Sequence, residues 1–590
     1  MKIFDAHIPH TVQSFFYESL TSNMSLEAAN LLVKSVSGIN SFFEIETEFL
    51  EFKEELGIIT TIVEEPDRAE YGDFQTNIEL ANKIVFRLIS KHISPEIVIE
   101  PTCGKGNFIV ASLEHFSDLK KVFGIEIYKP YVWESKFNII DFYLSNPTEK
   151  NKPEILIIHS SVFNFDFKTI AKENSTKEIL IIGNPPWVTN SKLGSLNSSN
   201  LPKKTNFKNH NGLDAMTGKG NFDIAEYITL MMIETFHHQK GNIALLVKNT
   251  VIKNIVFDQL VKKYAISDIE KHCIDSKKEF NVSVEASLFC CELNSTPTFD
   301  CAEFDFYDNS DAKLNFGWLS DKFVSNIETY SNAEQIDGKC PFEWRQGIKH
   351  DCSSIMELER VNGHFVNGLK EEFKLENDLV YGILKSSDLK NTVINETRKY
   401  TIVTQKKVGQ ETSYIKYDFP KTYKYLNKHQ DVFNARKSSI YNNKPPFSIF
   451  GIGDYSFKPY KVAISGLYKT FHFTLVLPQD EKPVMLDDTC YMLGFDKLEF
   501  AVYSLILLNS EITMKFLQSI TFADAKRTFT KDILMRIDLL ELAKTIDKSE
   551  LQKELIYINE IYNFNLTSEL WTNFIDEMMP IQSGQVELFC

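Results

Sequence analysis

The chain contains no run of 18 apolar residues, so no segment reads as a membrane-spanning helix. Met1 to His10 carry neither a basic patch nor an apolar stretch, so no secretory leader is expected. The nine cysteines, at 103, 273, 290, 291, 301, 340, 352, 490 and 590, are scattered and form no C-x-x-C pair. That argues against a disulfide framework and a structural zinc, and for a reducing cytoplasm. Positive charge is short overall: the formal net charge is -16, which taken alone speaks against a nucleic-acid partner. Apolar material is ample, with 46 Phe and 23 Tyr in 590 residues, so disorder is not expected. The length suits two large domains and an extension.

The average charge hides a local reversal. Residues 44–73 hold eleven acids against Lys53 and Arg68. Residues 398–469 hold fourteen Lys/Arg against Glu411, Asp418, Asp431 and Asp454, a local net of +10, with fourteen aromatics interleaved. A basic stripe on an acidic chain is a better sign of polyanion binding than the overall pI. A lysine-rich solvated face over an aromatic core has the same composition, and the stretch alone leaves both readings open.

Residues 1–65 read as an N-terminal helical extension: Leu20, Met24, Ala28, Leu31, Leu32 and Val36 fall at helical spacing, and Ser25 marks a start. From about 66 the pattern alternates. Helices are expected at 78–89, 107–115, 223–236 and 256–264, and strands at 96–100, 122–127, 155–159, 179–182, 242–248 and 287–293. Short apolar runs separated by helices imply a parallel sheet with crossover helices, an α/β domain over 66–300. Residues 191–220 are polar and read as a long surface loop. Residues 301–340 are expected to connect to a second, α+β domain at 341–590.

Glu100-Pro101-Thr102-Cys103-Gly104-Lys105-Gly106-Asn107-Phe108 follows a strand and opens a helix, where glycine permits a tight turn and close approach to a ligand. The next strand ends in Glu126, about 20 residues on, where a carboxylate accepts from both hydroxyls of a ribose. No Walker lysine follows the glycines, which excludes a P-loop.

Asn184-Pro185-Pro186-Trp187 lies at the carboxyl end of the fourth strand, the ligand-binding end of an α/β sheet. The two prolines fix the backbone and remove two N–H donors, leaving carbonyls to accept. Asn184 Oδ1 and the Pro185 carbonyl form a pair of acceptors suited to an exocyclic amine. They pull its nitrogen toward tetrahedral geometry and localise its lone pair for attack on a methyl group. Trp187 offers a flat face to a base.

These motifs resemble the class I S-adenosylmethionine-dependent amino methyltransferases of DNA, and among them the gamma-type, TaqI-like adenine-N6 enzymes of restriction–modification systems. The resemblance runs from about Tyr71 to Leu293, and more loosely through the C-terminal half. It implies a Rossmann-like catalytic domain, a mostly parallel sheet with helices on both faces, followed by a target recognition domain. Tyr71-Gly72-Asp73-Phe74-Gln75-Thr76 resembles the motif before the first strand, and Thr76 takes the position that contacts the methionine part of the cofactor. Glu100, Thr102, Gly104 and Gly106 match the cofactor loop, and Glu126 the ribose-binding acid. Asn184, Pro185, Pro186 and Trp187 match the catalytic motif, with Asn184 bordering cofactor and base alike. Phe280 resembles the aromatic on the far face of the flipped base. Where the family has an Asp for the cofactor's adenine amine, this chain has Ser161, so either Ser161 accepts a weaker bond or Asp166 substitutes.

The resemblance further implies a double-stranded DNA substrate, base flipping, direct transfer with no covalent intermediate and no metal, and a packing role for Cys103. A separately encoded restriction endonuclease is an expected partner; a membrane is not. Trp344-Arg345-Gln346-Gly347 and Ala525-Lys526-Arg527 with Lys531 resemble segments flanking recognition domains. Between them, Lys406, Lys407, Lys421, Lys424, Lys428, Arg436 and Lys437 are candidate DNA contacts. Lys203 and Lys204, in the polar loop, would close over DNA, or the loop is a disordered insertion. Rival substrates are cytosine N4 and a protein glutamine amide, the latter disfavoured by the basic C-terminal half. A fused nuclease would need more than the E-x-K look of Glu51-Phe52-Lys53, and a non-enzymatic DNA-binding relic would not need the intact tetrapeptide.

Overall fold

Runs of Ile, Val and Leu bounded by helices make the strands of the first unit, Met1–Phe323, and their order sets where a ligand binds. The computed structural model describes residues 6–56, 74–149, 151–189, 223–308, 312–468, 471–522 and 529–579. Five parallel strands form the centre: β1 (Ile97–Glu100), β2 (Lys121–Glu126), β3 (Glu154–His159), β4 (Ile179–Gly183) and β5 (Gly241–Lys248), in the order β3-β2-β1-β4-β5. The order reverses between β1 and β4, and a sheet of this kind binds ligands outside the carboxyl ends of its strands at such a switch point. Helices α4 (Ile78–Ser90), α5 (Asn107–His115), α6 (Lys129–Ser145), α7 (Phe167–Glu173), α8 (Ile224–Phe236) and α9 (Asn249–Lys262) flank this core. The ninth starts at Asn249, seven residues before the expected 256.

Beyond β5 the sheet continues where the sequence reading placed little. β6 (Ile266–Cys273) was not anticipated. Its apolar alternation is broken by a register shift between Ser267 and Glu270, with Asp268 at φ 47°. β7 (Ala286–Leu293) inserts antiparallel between β5 and β6. The 301–340 segment does not merely connect: β8 (Asp300–Asp305) pairs parallel with β6, β9 (Leu314–Leu319) pairs with β8, and a short edge strand at Lys322–Val324 ends a ten-stranded sheet among the described residues. Between β6 and β7 lies α10 (Ser276–Phe280).

Among its described residues the N-terminal extension holds three helices: α1 (His10–Ser19), α2 (Leu26–Ser37) and α3 (Glu46–Glu55). Ser25 caps α2 by accepting from the Ala28 N–H (3.2 Å), as the sequence suggests. The extension belongs to the first unit. Phe16, Phe42 and Phe52 form a ring cluster with Trp133 and Phe137 of α6. It also shields the β3 edge, because Asn40 N–H donates to Ile155 O (2.7 Å) and Ile155 N–H to Gly38 O (3.0 Å). Lys136 is buried in this cluster, 5.0 Å from the Trp133 ring, and its Nζ donates to Phe42 O (2.8 Å). The Glu51-Phe52-Lys53 triplet sits on α3 with Phe52 buried and Lys53 donating to Thr21 O and Ser22 O (2.9 Å each), so it serves packing.

Among its described residues the second unit, Val324–Cys590, holds two sheets. One runs Arg345–Gln346, Cys490–Phe495, Tyr460–Ser465, Thr474–Val476, Val393–Ile394; the other Glu372–Phe373, His364–Asn367, Glu357–Val361, Lys399–Ile402, Val380–Leu384, Met485–Leu486. The second sheet shares a core with Tyr425 and Leu426 of the Pro420–Lys428 helix, with Phe433 and with Phe447. Among the described residues no single helix is long and apolar enough to cross a membrane. The apolar Leu498–Leu508 helix is core, its residues from Phe500 to Leu508 all buried.

Candidate active site

The loop after β1 is shaped by what surrounds it. Gly104 (φ 50°) and Gly106 (φ 78°) adopt backbone conformations that favour glycine. A Cβ at Gly104 would lie 2.4 Å from the Gln75 amide, and one at Gly106 2.9 Å from Ser135 Cβ on α6. Lys105 points away, to Glu134 of α6 (3.2 Å). Glu126, at the end of β2, accepts from the Gly104 N–H (2.9 Å, Oε2) and the Tyr128 N–H (2.7 Å, Oε1). Oε2 thus braces the loop after β1, and Oε1 the turn after β2. Glu100 is buried at the foot of the loop; burial first, and the Glu126 charge second, push its carboxyl well above the ordinary carboxylate range. Burial likewise pushes the Cys103 thiol far up, which suits packing and not nucleophilic attack.

The tetrapeptide faces the same space. Asn184 Nδ2 donates to Phe74 O (2.7 Å) and Thr76 Oγ1 (3.2 Å), while the buried Asn184 Oδ1 has no partner among the described residues. The orientation of the amide is therefore set, with its oxygen the free end. No described donor reaches the Pro185 carbonyl. Trp187 is buried, its Nε1–H donating to Leu246 O (3.1 Å), with Phe74 at 5.5 Å and Phe280 at 5.0 Å between ring centroids. The flat face expected to receive a base is thus covered by neighbouring aromatics.

A cleft partly open to solvent joins these parts. Its polar side holds Thr76, Glu100, Thr102, Asn107 and Asn184, and its apolar side Ile127, Val162, Phe163, Ile224 and Ile228, with Glu126 also in the lining. Three of its buried oxygens, Glu100 Oε2, Thr102 Oγ1 and Asn184 Oδ1, have no partner among the described residues. Buried polar atoms are normally paired, so three in one cleft mark where a ligand with donors fits. S-adenosylmethionine, the cofactor that the resemblance implies, carries such donors in its ammonium group, its ribose hydroxyls and its adenine amine.

Several candidate residues stand elsewhere. Ser161 is not in the lining; its Oγ accepts from the Phe163 N–H (3.3 Å), and Ser160 lines the cleft instead. Asp166 caps α7, accepting from the Lys168 (3.1 Å) and Thr169 (3.4 Å) N–H groups. Thr76 lines the cleft and also steers Asn184, a role the motif alone does not show. Asn107, not singled out in the sequence, donates to Thr76 O (2.7 Å) and ties the cofactor loop to the Asn184 anchor. Ile224 and Ile228 carried no signal either, since apolar residues four apart occur on any packed helix. Tyr71 to Asp73, the 191–220 loop with Lys203 and Lys204, and Ala525 to Arg527 lie outside the described residues.

In the basic stripe, Lys421, Lys424 and Lys428 share the solvent face of the Pro420–Lys428 helix, opposite Thr422, Tyr425 and Leu426. Lys406, Lys407, Lys421, Lys424 and Lys437 are exposed, and Lys428 is paired with Glu371 (2.6 Å). Arg436 is a staple: it donates to Ser448 O (2.6 Å) and Phe433 O (3.0 Å) and lies 3.6 Å from the Tyr441 ring centroid. Lys461, counted in the stripe, is fully buried; its Nζ donates to Lys458 O (2.6 Å) and burial lowers its pKa to about 7. Sequence counting cannot separate these from surface lysines, because charge does not report depth.

Comparison with known proteins agrees with this geometry. The family model described as N-6 DNA Methylase matches residues 63–290. The chain is 40% identical over 484 residues to the Type II methyltransferase M.NspV of Nostoc sp. (strain ATCC 29411 / PCC 7524), covering 82% of this chain and 99% of that one. It is also similar to two solved structures, at scores too low to carry weight. One is the type IIL restriction-modification enzyme MmeI in complex with DNA (13% identity, 96% of this chain and 81% of that one, TM-score 0.47). The other is the type IIG restriction endonuclease BpuSI (14% identity, 90% and 68%, TM-score 0.34). By motif, site and relative alike, the chain belongs to the N-6 DNA methylase family, as a gamma-type, S-adenosylmethionine-dependent adenine-N6 DNA methyltransferase.

Proposed function

We propose that Asn184 and Pro185 hold the target adenine's amine, and that the chain modifies double-stranded DNA at a specific site as the methylating partner of a separate restriction endonuclease. The observation that carries the first part is the Asn184 amide: its nitrogen is fixed by two acceptors and its oxygen is buried without a partner among the described residues. Asn184 Oδ1 and the Pro185 carbonyl accept from the two N–H groups of the amine and localise its lone pair. S-adenosylmethionine, when bound, supplies the electrophilic methyl group. Glu126, at the end of β2 and in the lining of the cleft, accepts from the ribose hydroxyls. Glu100 and Thr102 face the amino-acid end, and Val162, Phe163, Ile224 and Ile228 enclose the adenine ring. The target base reaches the amine acceptors only out of the duplex stack, because a paired amine is unreachable; Trp187 and Phe280 are its stacking partners.

The exposed lysines on and near the Pro420–Lys428 helix contact phosphates, and the second unit reads the site. A separate endonuclease is supported by the relative, a Type II methyltransferase matched over 99% of its length, and by the packing role of the Glu51-Phe52-Lys53 triplet. The eight described cysteines are unpaired, which fits a cytoplasmic location. Transfer of labelled methyl from S-adenosylmethionine to duplex DNA, with nucleoside mass spectrometry of the product, tests the reading. Label in N6-methyladenine that is lost in Asn184→Ala is expected; label in N4-methylcytosine or in protein glutamine overturns it.

A further inference from the structure

Trp187 is 5% exposed and Phe280 7%, so the pair closes the surface on which a flipped base would stack. Their centroids are 5.0 Å apart with the rings at 73°. A base held between two parallel rings needs about twice the ~3.4 Å spacing of stacked bases, roughly 7 Å. One of the aromatics must therefore leave. Trp187 is tethered through Nε1 to Leu246 O. Phe74 is held at its backbone, where its carbonyl anchors Asn184, and its ring lies farther from Trp187, at 5.5 Å. Phe280 remains, at the end of the five-residue α10, followed by Asn281 in a left-handed conformation (φ 56°).

The group that holds α10 comes from outside the catalytic core. β8 pairs with β6, Asp305 opposite Cys273, and so brings Tyr307 beside α10. Tyr307 Oη donates to Glu279 Oε1 (2.8 Å) and accepts from the Asp275 N–H (3.3 Å), bridging the two ends of the helix. Lys278 Nζ lies 5.1 Å from the Tyr307 ring centroid. Asp275 meanwhile caps α10 through the Lys277 and Lys278 N–H groups (3.1 and 3.0 Å). Tyr307 touches neither the cleft nor the tetrapeptide, and half of it is in solvent.

We propose that Tyr307 is a positioning residue of the methyl transfer: its phenol latches α10 so that Phe280 stands on Trp187 in the place of the target base until DNA displaces it. Phe280 then moves from one side of the exchange to the other, from occupant of the base site to wall of it. Replacing an aromatic ring by a base of similar area keeps Trp187 covered throughout and avoids an open apolar slot in the free enzyme. The proposal rests on the reading of Trp187 and Phe280 as the base site.

The test uses the full chain and a duplex with 2-aminopurine in place of the target adenine, its site located from N6-methyladenine positions in methylated DNA. Tyr307→Phe, which removes the phenol bonds, should speed the fluorescence change of flipping about tenfold or more, the factor for a hydrogen bond to a carboxylate. It should lower KM for DNA more than it alters kcat, with cofactor affinity unchanged. Glu279→Ala should reproduce it and Glu279→Gln, which keeps an acceptor, should not. Phe280→Ala should flip fast but turn over slowly. Unchanged or slower flipping in Tyr307→Phe and Glu279→Ala, both folded, overturns the latch. Trp187→Ala separates the two readings: if it leaves flipping and turnover intact, the base site itself is misplaced, whereas a Trp187→Ala defect beside normal flipping in the other variants condemns the latch alone.

Discussion

Removing the Asn184 amide probes the acceptor at the centre of the site. The Nδ2 end is spent on Phe74 O and Thr76 Oγ1, and the Oδ1 end has no partner among the described residues, so Asn184→Ala deletes one pre-aligned acceptor and nothing that reaches the rest of the cleft directly. A preorganised polar group of this kind is worth about 3 kcal/mol in the transition state, or about two powers of ten in rate. The truncation also leaves Phe74 O and Thr76 Oγ1 short of a donor, about 1 kcal/mol each in stability, so the variant should fold. Thr76→Val removes only one of the two anchors, at 3.2 Å, and keeps the 2.7 Å bond to Phe74 O. It should cost about 1 kcal/mol, roughly fivefold in rate. The ranking is therefore wild type, Thr76→Val, Asn184→Ala. Single-turnover transfer of labelled methyl to a duplex containing the site measures it, with cofactor affinity followed by calorimetry. Asn184→Ala within a few-fold of wild type would refute the mechanism. A Thr76→Val variant as slow as Asn184→Ala, or one that loses cofactor affinity, would show that the hydroxyl contacts cofactor or base and does not merely steer the amide.

Glu126→Ala should weaken cofactor binding by about 1.5–3 kcal/mol, the range for hydrogen bonds to a charged group, and calorimetric titration of a folded variant checks it. Neutralising Lys421 and Lys424 should lower the slope of log affinity against log salt by about 1.8, roughly 0.9 per phosphate contact, whereas Arg436→Ala should lower the melting temperature and leave that slope alone; an unchanged slope in the lysine variant makes that face mere solvation. Lys136 offers a pH signature. Burial lowers its pKa from 10.5 to about 8, so between those values the unfolded chain holds a proton that the folded chain has released. Raising the pH through that window removes the unfolded state's advantage, and stability should rise by up to about 3 kcal/mol, then level off. Denaturant titrations of wild type and Lys136→Met at pH 8 and 10.5 should differ in this slope; equal slopes would show that the lysine is hydrated in the folded state.

The chemistry was legible in the sequence because it sits in contiguous motifs. Glu100 to Asn107, Glu126 and Asn184 to Trp187 each end a strand that hydrophobic patterning alone identifies, and a parallel sheet delivers the ends of such strands to one edge. Local grammar also sufficed for Ser25 as a cap and for the central strands. What depended on residues far apart did not show. β6 was hidden by a bulge that breaks its alternation. The strands after 300 follow one another without crossover helices, so nothing in their pattern betrays that they lengthen the sheet. Only the tertiary structure decided that Thr76, 108 residues from Asn184, aims its amide, and that Ser160 rather than Ser161 lines the cleft. The same holds for Arg436 and Lys461, which serve the core of the second unit although they belong to its basic stripe. Residue type and spacing specify what a side chain can do, but depth, orientation and partner are set by packing between segments that the chain brings together only on folding.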